Sequence, residues 1–296
     1  MDEASLRRRR ALLQIHLCVM LWAFTAILGR LITLPATQLV AWRLILVVAL
    51  LALLPQVWRA VRGIGGRQTL IFLGIGAIVA LHWLAFYGAI KASNASVATI
   101  CLAVAPVTIA LLEPLLHGAR LRPGDLALGI AVVPGIVLVV GGVPDGMQRG
   151  VVLGVVAALL VAIYMMLNKR WIGSEDPLGV TAIEFAGGLL VTLLLLPWLA
   201  PAADAGFLPG PRDLGLLLVL AVLCTIVPFA LSLLALREVS AFTAQLAVNL
   251  EPIYAIAIAA WLLGEAAELG TRFYVGAALV LAAVLAHGVL AARGRR

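Results

Sequence analysis

The chain is 296 residues long, 64% of them apolar and 12% charged, with a mean hydropathy of +1.14. Soluble proteins carry about 25% charged residues, so this balance excludes a soluble globular domain and places most of the chain in a bilayer. The net charge of +7 would fit a nucleic-acid binder only if the charges shared one surface; they lie scattered between apolar runs, and no nucleic-acid partner is expected.

A hydrocarbon core about 30 Å thick takes about 20 apolar residues per helix. Ten runs meet that length: 12–31, 38–58, 68–90, 94–117, 123–143, 148–170, 177–199, 211–236, 240–263 and 270–291. Little chain is left between them for a soluble domain. The first run is too long for the apolar core of a signal peptide, and no small-residue cleavage site comes before the second. It is expected to remain as a helix, with Trp22 at its middle, too deep for an interfacial belt.

Arg43 lies several residues inside the second run, where snorkelling or pairing is one account and coupling-ion chemistry another. The third carries His82 with Trp83, Phe86 and Tyr87 around it. His82 and Phe86 are four apart and share a helix face, so an aromatic lining for a flat or apolar substrate is one reading. A lone histidine can also relay protons, or be a satisfied structural residue. In the fourth run stand Thr99, Pro106 and Glu113, the last within expected reach of Arg120. Tyr164 falls in the sixth run, Glu184 in the seventh, Pro228, Phe229 and Ser232 in the eighth. Trp42, Trp58, Trp171, Trp198 and Trp261 lie near run ends and read as interface anchors. Cys18, Cys101 and Cys224 are odd in number and sit inside runs, which predicts buried thiols rather than disulfides.

The ninth run holds Gln245, Asn249, Glu251, Pro252 and Tyr254. Gln245 and Asn249 are four apart on one face and would orient a substrate's polar end, or else bridge helices by hydrogen bonds. Glu251 is the candidate protonatable switch. Pro106, Pro228 and Pro252 each free the carbonyl four residues earlier, and a freed carbonyl at membrane depth survives only against protein or water. Simple bending of the helices is the blander account of the same prolines.

Fifteen Lys and Arg residues fall on one side of the membrane and five on the other, with Arg43 inside a helix. The side rich in Lys and Arg is cytoplasmic, so both termini are expected inside, which requires an even number of helices. The chain also repeats itself: at a constant offset of 146, Lys91 falls on Arg237, Ala95 on Ala241, Ala98 on Ala244, Pro106 on Pro252 and Gly118 on Gly264. Each half then holds five helices, an odd number, so the second half enters the membrane from the opposite face. The prediction is an all-α membrane protein of ten transmembrane helices in two inverted-topology five-helix repeats, 1–145 and 146–296. Such repeats place a substrate site near the midplane where the halves meet.

No Gly-rich phosphate loop, His/Glu helix pair, nucleophile elbow or metal-ligand spacing is present in the sequence, so no cofactor and no metal are expected. Neither an arginine ladder nor a filter-like loop points to a channel.

The stretch Leu250-Glu-Pro-Ile-Tyr-Ala-Ile-Ala-Ile-Ala-Ala-Trp-Leu-Leu-Gly-Glu265 resembles the signature of EamA-type permeases of the drug/metabolite transporter superfamily. Pro106 to Gly118 resembles its first-half copy, except that Ala119 stands where that family usually has Glu. Trp22-Ala-Phe resembles the family's aromatic start, and Arg43 its second-helix arginine. The resemblance covers nearly the whole chain. It implies two inverted five-helix repeats and export of small metabolites, often amino acids; length and the aromatic third helix point to the YddG-like branch.

The sequence thus reads as a bacterial inner-membrane carrier, a monomer in the lipid bilayer. It would export aromatic or apolar amino acids, or similar small molecules, by alternating access. The midplane cavity would be lined by Trp22, His82, Phe86, Thr99, Tyr164, Phe229, Ser232, Gln245 and Asn249. Two other classes stand beside this one. A polytopic enzyme acting on lipid would need a polar catalytic cluster near one membrane face, and a passive channel would show no saturation.

Overall fold

The structure, a computed structural model, describes residues 3–117, 123–199, 207–235, 238, 247–248 and 250–293. Among them there is no strand. The helices are α1 (Glu3–Leu31), α2 (Ala36–Ala52), α3 (Pro55–Arg62), α4 (Gly66–Ala92), α5 (Ala95–Leu102), α6 (Ala105–His117), α7 (Pro123–Gly141), α8 (Gln148–Trp171), α9 (Pro177–Leu199), α10 (Pro211–Ala221), α11 (Val227–Ala235), α12 (Glu251–Ile258) and α13 (Thr271–Arg293). Among the described residues five stretches are long and apolar enough to span a bilayer; α2 with α3 forms a bent sixth, and shorter apolar helices lie in the remaining runs.

Prolines set the breaks. The second run is not one helix to residue 58: Leu54 precedes Pro55, which pushes it out of the helical region to φ −94°, ψ 113°. The chain turns by 90° there, and α3 leaves the line of α2. Pro106, second residue of α6, cannot donate to Leu102. Ala103 and Val104 instead close tight turns onto Ile100 and Cys101, and the helix restarts at Ala105. Pro252 sits at the matching second position of α12, where Ile253 and Tyr254 both donate to the Leu250 carbonyl. Pro228 is accommodated differently. Residues Val222–Ile226 widen into a π turn, and Val227 donates to Val222 rather than to a carbonyl four residues back.

The packing exchanges the halves. Helix α1 packs on α11 as α8 packs on α4; α1 meets α12 as α8 meets α5 and α6; α2 meets α10 as α9 meets α4. Three further contacts join equivalent spans: α2 with α9, the broken fourth and ninth runs through α5 and α12, and α7 with α13. In the last pair Gly142 abuts Phe273 while Gly135 abuts Gly276 and Val280, so the two helices run antiparallel. In the second, Glu265, just past the end of the ninth run, meets the first turn of α5, so the two runs are again antiparallel. Equivalent helices therefore traverse the bundle in opposite senses, the arrangement that odd-numbered repeats require.

Large apolar side chains cover the outside. Ile130, Val133, Val137, Leu190 and Leu194 are exposed, as are Trp198 at 78% and Trp261 at 84%. Cys18, Cys101 and Cys224 are buried and free.

Candidate functional site

Arg43 is the most unusual side chain inside the bundle. It neither snorkels nor finds a carboxylate: it is 2% exposed, and no acid among the described residues pairs with it. Its Nε and Nη2 donate to the Thr225 hydroxyl oxygen at 3.0 and 2.8 Å, and Nη1 donates to the Tyr87 hydroxyl at 2.8 Å. The guanidinium carbon lies over Trp83, 3.6 Å from the ring centroid. The π turn explains how Thr225 reaches this position: it carries the hydroxyl past the regular register, and Thr225 itself donates five residues back to Leu220 at 2.8 Å. A π turn inside a helix is often a mark of a functional position.

From Arg43 a run of rings crosses the seam between the halves. Trp83 on α4 packs on Phe185 of α9 at 5.5 Å, Phe185 on Phe229 of α11 at 5.2 Å, and Phe229 edge-on to Trp22 of α1 at 6.2 Å. Trp83, Phe185 and Tyr87 are buried, whereas Trp22 and Phe229 keep part of their surface exposed. On the adjoining face Phe86 meets Tyr87 at 5.5 Å and stacks on His82 at 6.1 Å. The His82 Nδ1 lies 2.8 Å from the Ala157 carbonyl. A carbonyl only accepts, so Nδ1 carries a proton and donates it here.

Of the residues expected to line the cavity, Trp22, His82, Phe86 and Phe229 join this one aromatic network. Thr99 is buried, with its hydroxyl turned back onto the Ala95 carbonyl at 2.7 Å. Ser232 does the same to Phe229 at 2.9 Å. Tyr164 donates to Glu184 at 3.0 Å, and Glu184, deep in α9, keeps its second oxygen buried without a partner. Gln245 and Asn249 lie outside the described residues, as do Arg120 and the Glu113 side chain expected to meet it. Glu251 opens α12 and is half-buried, rather than standing at the middle of a continuous helix.

One end of the bundle is tied by polar contacts. The chain leaves the ninth span through Gly264, whose φ of +69° is the left-handed conformation glycine adopts freely. The next residue, Glu265, is thereby aimed at the first turn of α5. Its carboxylate accepts from the Ala95 and Ser96 backbone N–H groups at 2.9 Å each and from the Ser96 hydroxyl at 2.7 Å. Around it, Asn94 donates to Glu268 at 3.0 Å and Arg30 pairs with Glu268 at 3.8 Å. Lys91 donates to the Ile32 carbonyl, and Thr33 binds Asp213 through both its N–H and its hydroxyl.

Arg43, Thr225 and Glu265 were not among the expected site residues. An arginine mid-run was a visible signal for the first, and Glu265 closes the family-like stretch that begins at Leu250; nothing local in the sequence marks Thr225.

The comparisons agree with this architecture. A solved crystal structure superposes with a TM-score of 0.63 over 96% of this chain and 98% of its own, at 18% identity, a likeness of fold. A protein of Archaeoglobus fulgidus named an uncharacterized transporter is 28% identical over 236 residues, 79% of this chain and 81% of its own. The EamA-like transporter family matches the chain twice, over residues 9–141 and again over 148–287. With both matches together spanning most of its length, this multi-pass membrane protein belongs to the EamA-like transporter family.

Proposed function

We propose that this chain exports amino acids, aromatic and apolar ones foremost, or similar small amphipathic metabolites, by alternating access around the seam of its two halves. The observation that carries the reading is the run of rings from Arg43 to Trp22. It runs from α4 through α9 and α11 to α1 and crosses between the halves at Trp83–Phe185 and at Phe229–Trp22, so rocking of one half against the other would part it. Rings with exposed faces suit a flat or apolar substrate. Trp22, His82, Phe86 and Phe229 are the leading lining residues, with Thr99, Tyr164, Ser232, Gln245 and Asn249 as further candidates and Glu251 as the candidate coupling acid.

The charge split supports cytoplasmic termini in a bacterial inner membrane. On that topology the end tied by Glu265 is the outer one, closed while substrate loads from within. The repeat-related residue, Ala119, has no carboxylate to form the same tie.

The test is counterflow of a panel of amino acids in proteoliposomes, with and without a pH gradient. Saturable exchange of aromatic and apolar members is expected. Flux that never saturates, or none above empty liposomes, would contradict the proposal.

A further inference from the structure

We infer that Arg43 holds the carboxylate of the substrate, so that a free acid group is what this transporter requires of its cargo. The inference rests on the export reading above and adds the chemistry that selects the cargo.

A charge shut inside a membrane protein is costly, about 2.5–3.5 kcal/mol at a helix centre on insertion scales, and persists where it is paired or serves a ligand. Arg43 has no counter-charge among the described residues. Its partners, Tyr87 and Thr225, are neutral hydroxyls. A guanidinium has five N–H donors, and the three bonds described leave one on each terminal nitrogen. Those two nitrogens form the fork that takes both oxygens of a carboxylate at once. A purely structural bolt between α2, α4 and the π turn would be served as well by a neutral donor, without the desolvation that a cation incurs.

The surroundings define the rest of the ligand. Trp83 covers one face of the guanidinium and begins the aromatic run that ends at the part-exposed Phe229 and Trp22. An anionic head at Arg43 with an apolar body along the rings is the shape of an aromatic or aliphatic amino acid, or of another small apolar carboxylic acid. Its amide or decarboxylated amine presents the same body without the charge. Sites built around a buried polar group reject ligands lacking the complementary group far more strongly than apolar pockets reject a missing methylene.

The experiment compares L-phenylalanine with L-phenylalaninamide, and L-leucine with L-leucinamide, in proteoliposomes of the full chain. The wild type should favour each acid at least tenfold. Arg43→Gln should bring the ratio close to one, by losing the acid while amide flux persists. Arg43→Lys keeps the charge but not the fork, and should raise the KM for the acids about tenfold with the amides unchanged. It also covers the case in which Arg43→Gln does not fold. Equal wild-type flux of acid and amide, or variants that keep the wild-type ratio, would overturn the role of Arg43 alone. If neither member of any pair moves in the wild type, the amino-acid reading falls and this inference with it.

Discussion

Arg43 and Glu265 are both charges removed from water, at 2% and 1% exposure, yet they are satisfied in opposite ways. Glu265 has three donors at 2.7–2.9 Å, two of them backbone N–H groups in the first turn of α5, where the helix dipole also favours a negative charge. Arg43 has two neutral hydroxyl partners, a ring beneath it and no counter-charge among the described residues. On the inference above, the Glu265 set is a tie that holds elements together, while the unused donors of Arg43 are there for a ligand. Burial does not separate the two, and each makes three hydrogen bonds; the difference is what is left over, an N–H on each terminal nitrogen of Arg43 against a carboxylate with a donor on both oxygens.

Substitutions can break or sharpen that contrast. The largest expected effect is on transport: Arg43→Met should lower flux of acidic substrates about a hundredfold or more, the weight of about 3 kcal/mol of lost charged hydrogen bonding. Its stability should stay within about 1 kcal/mol of wild type or rise, because an uncompensated buried charge is removed while Met fills similar space. Flux assays and melting curves on one preparation would read both. Glu265→Ala should do the reverse, costing about 3 kcal/mol of stability by leaving three buried donors without an acceptor. Glu265→Gln keeps one acceptor oxygen but turns an amide N–H₂ toward a donor, and should cost about 1–2 kcal/mol. Thermal unfolding in detergent would rank the pair.

Smaller effects would sharpen the Arg43 side. A β-carbon at Gly29 would lie 2.6 Å from the Tyr87 ring, so Gly29→Ala should displace Tyr87 from Nη1 and raise the KM for acids several-fold. Thr225→Val removes the acceptor shared by Nε and Nη2. The guanidinium would still be held by Tyr87 and Trp83, so a change in KM of a few-fold is expected, with little change in stability.

Much of the architecture could be read from the sequence because its signals are local. Ten apolar runs, the prolines at 106, 228 and 252 and the aromatic cluster around His82 depend on residues within a turn or two of each other. The structure put Trp22, His82, Phe86 and Phe229 into one network, and halted or widened the helices at those prolines. The second span was misjudged at Leu54, where the residue before a proline takes an extended conformation and sends α3 aside.

The charges were harder. Whether Arg43 snorkels or turns inward depends on Thr225, 182 residues away, and on a π turn that no periodicity announces. The role of Glu265 depends on the left-handed turn at Gly264 and on a helix start 169 to 170 residues upstream. The acid singled out from sequence, Glu251, stands at the start of α12, and the more deeply buried acids among the described residues are Glu184, Asp213 and Glu265.

The most direct test of the central claim, that Arg43 is a site and not scaffold, is the melting of Arg43→Met beside Glu265→Ala and wild type in one detergent without substrate. The account predicts that Arg43→Met melts at or above wild type while Glu265→Ala melts well below it. If Arg43→Met falls as far as Glu265→Ala, the guanidinium is holding the bundle together, and the site must be sought elsewhere along the seam.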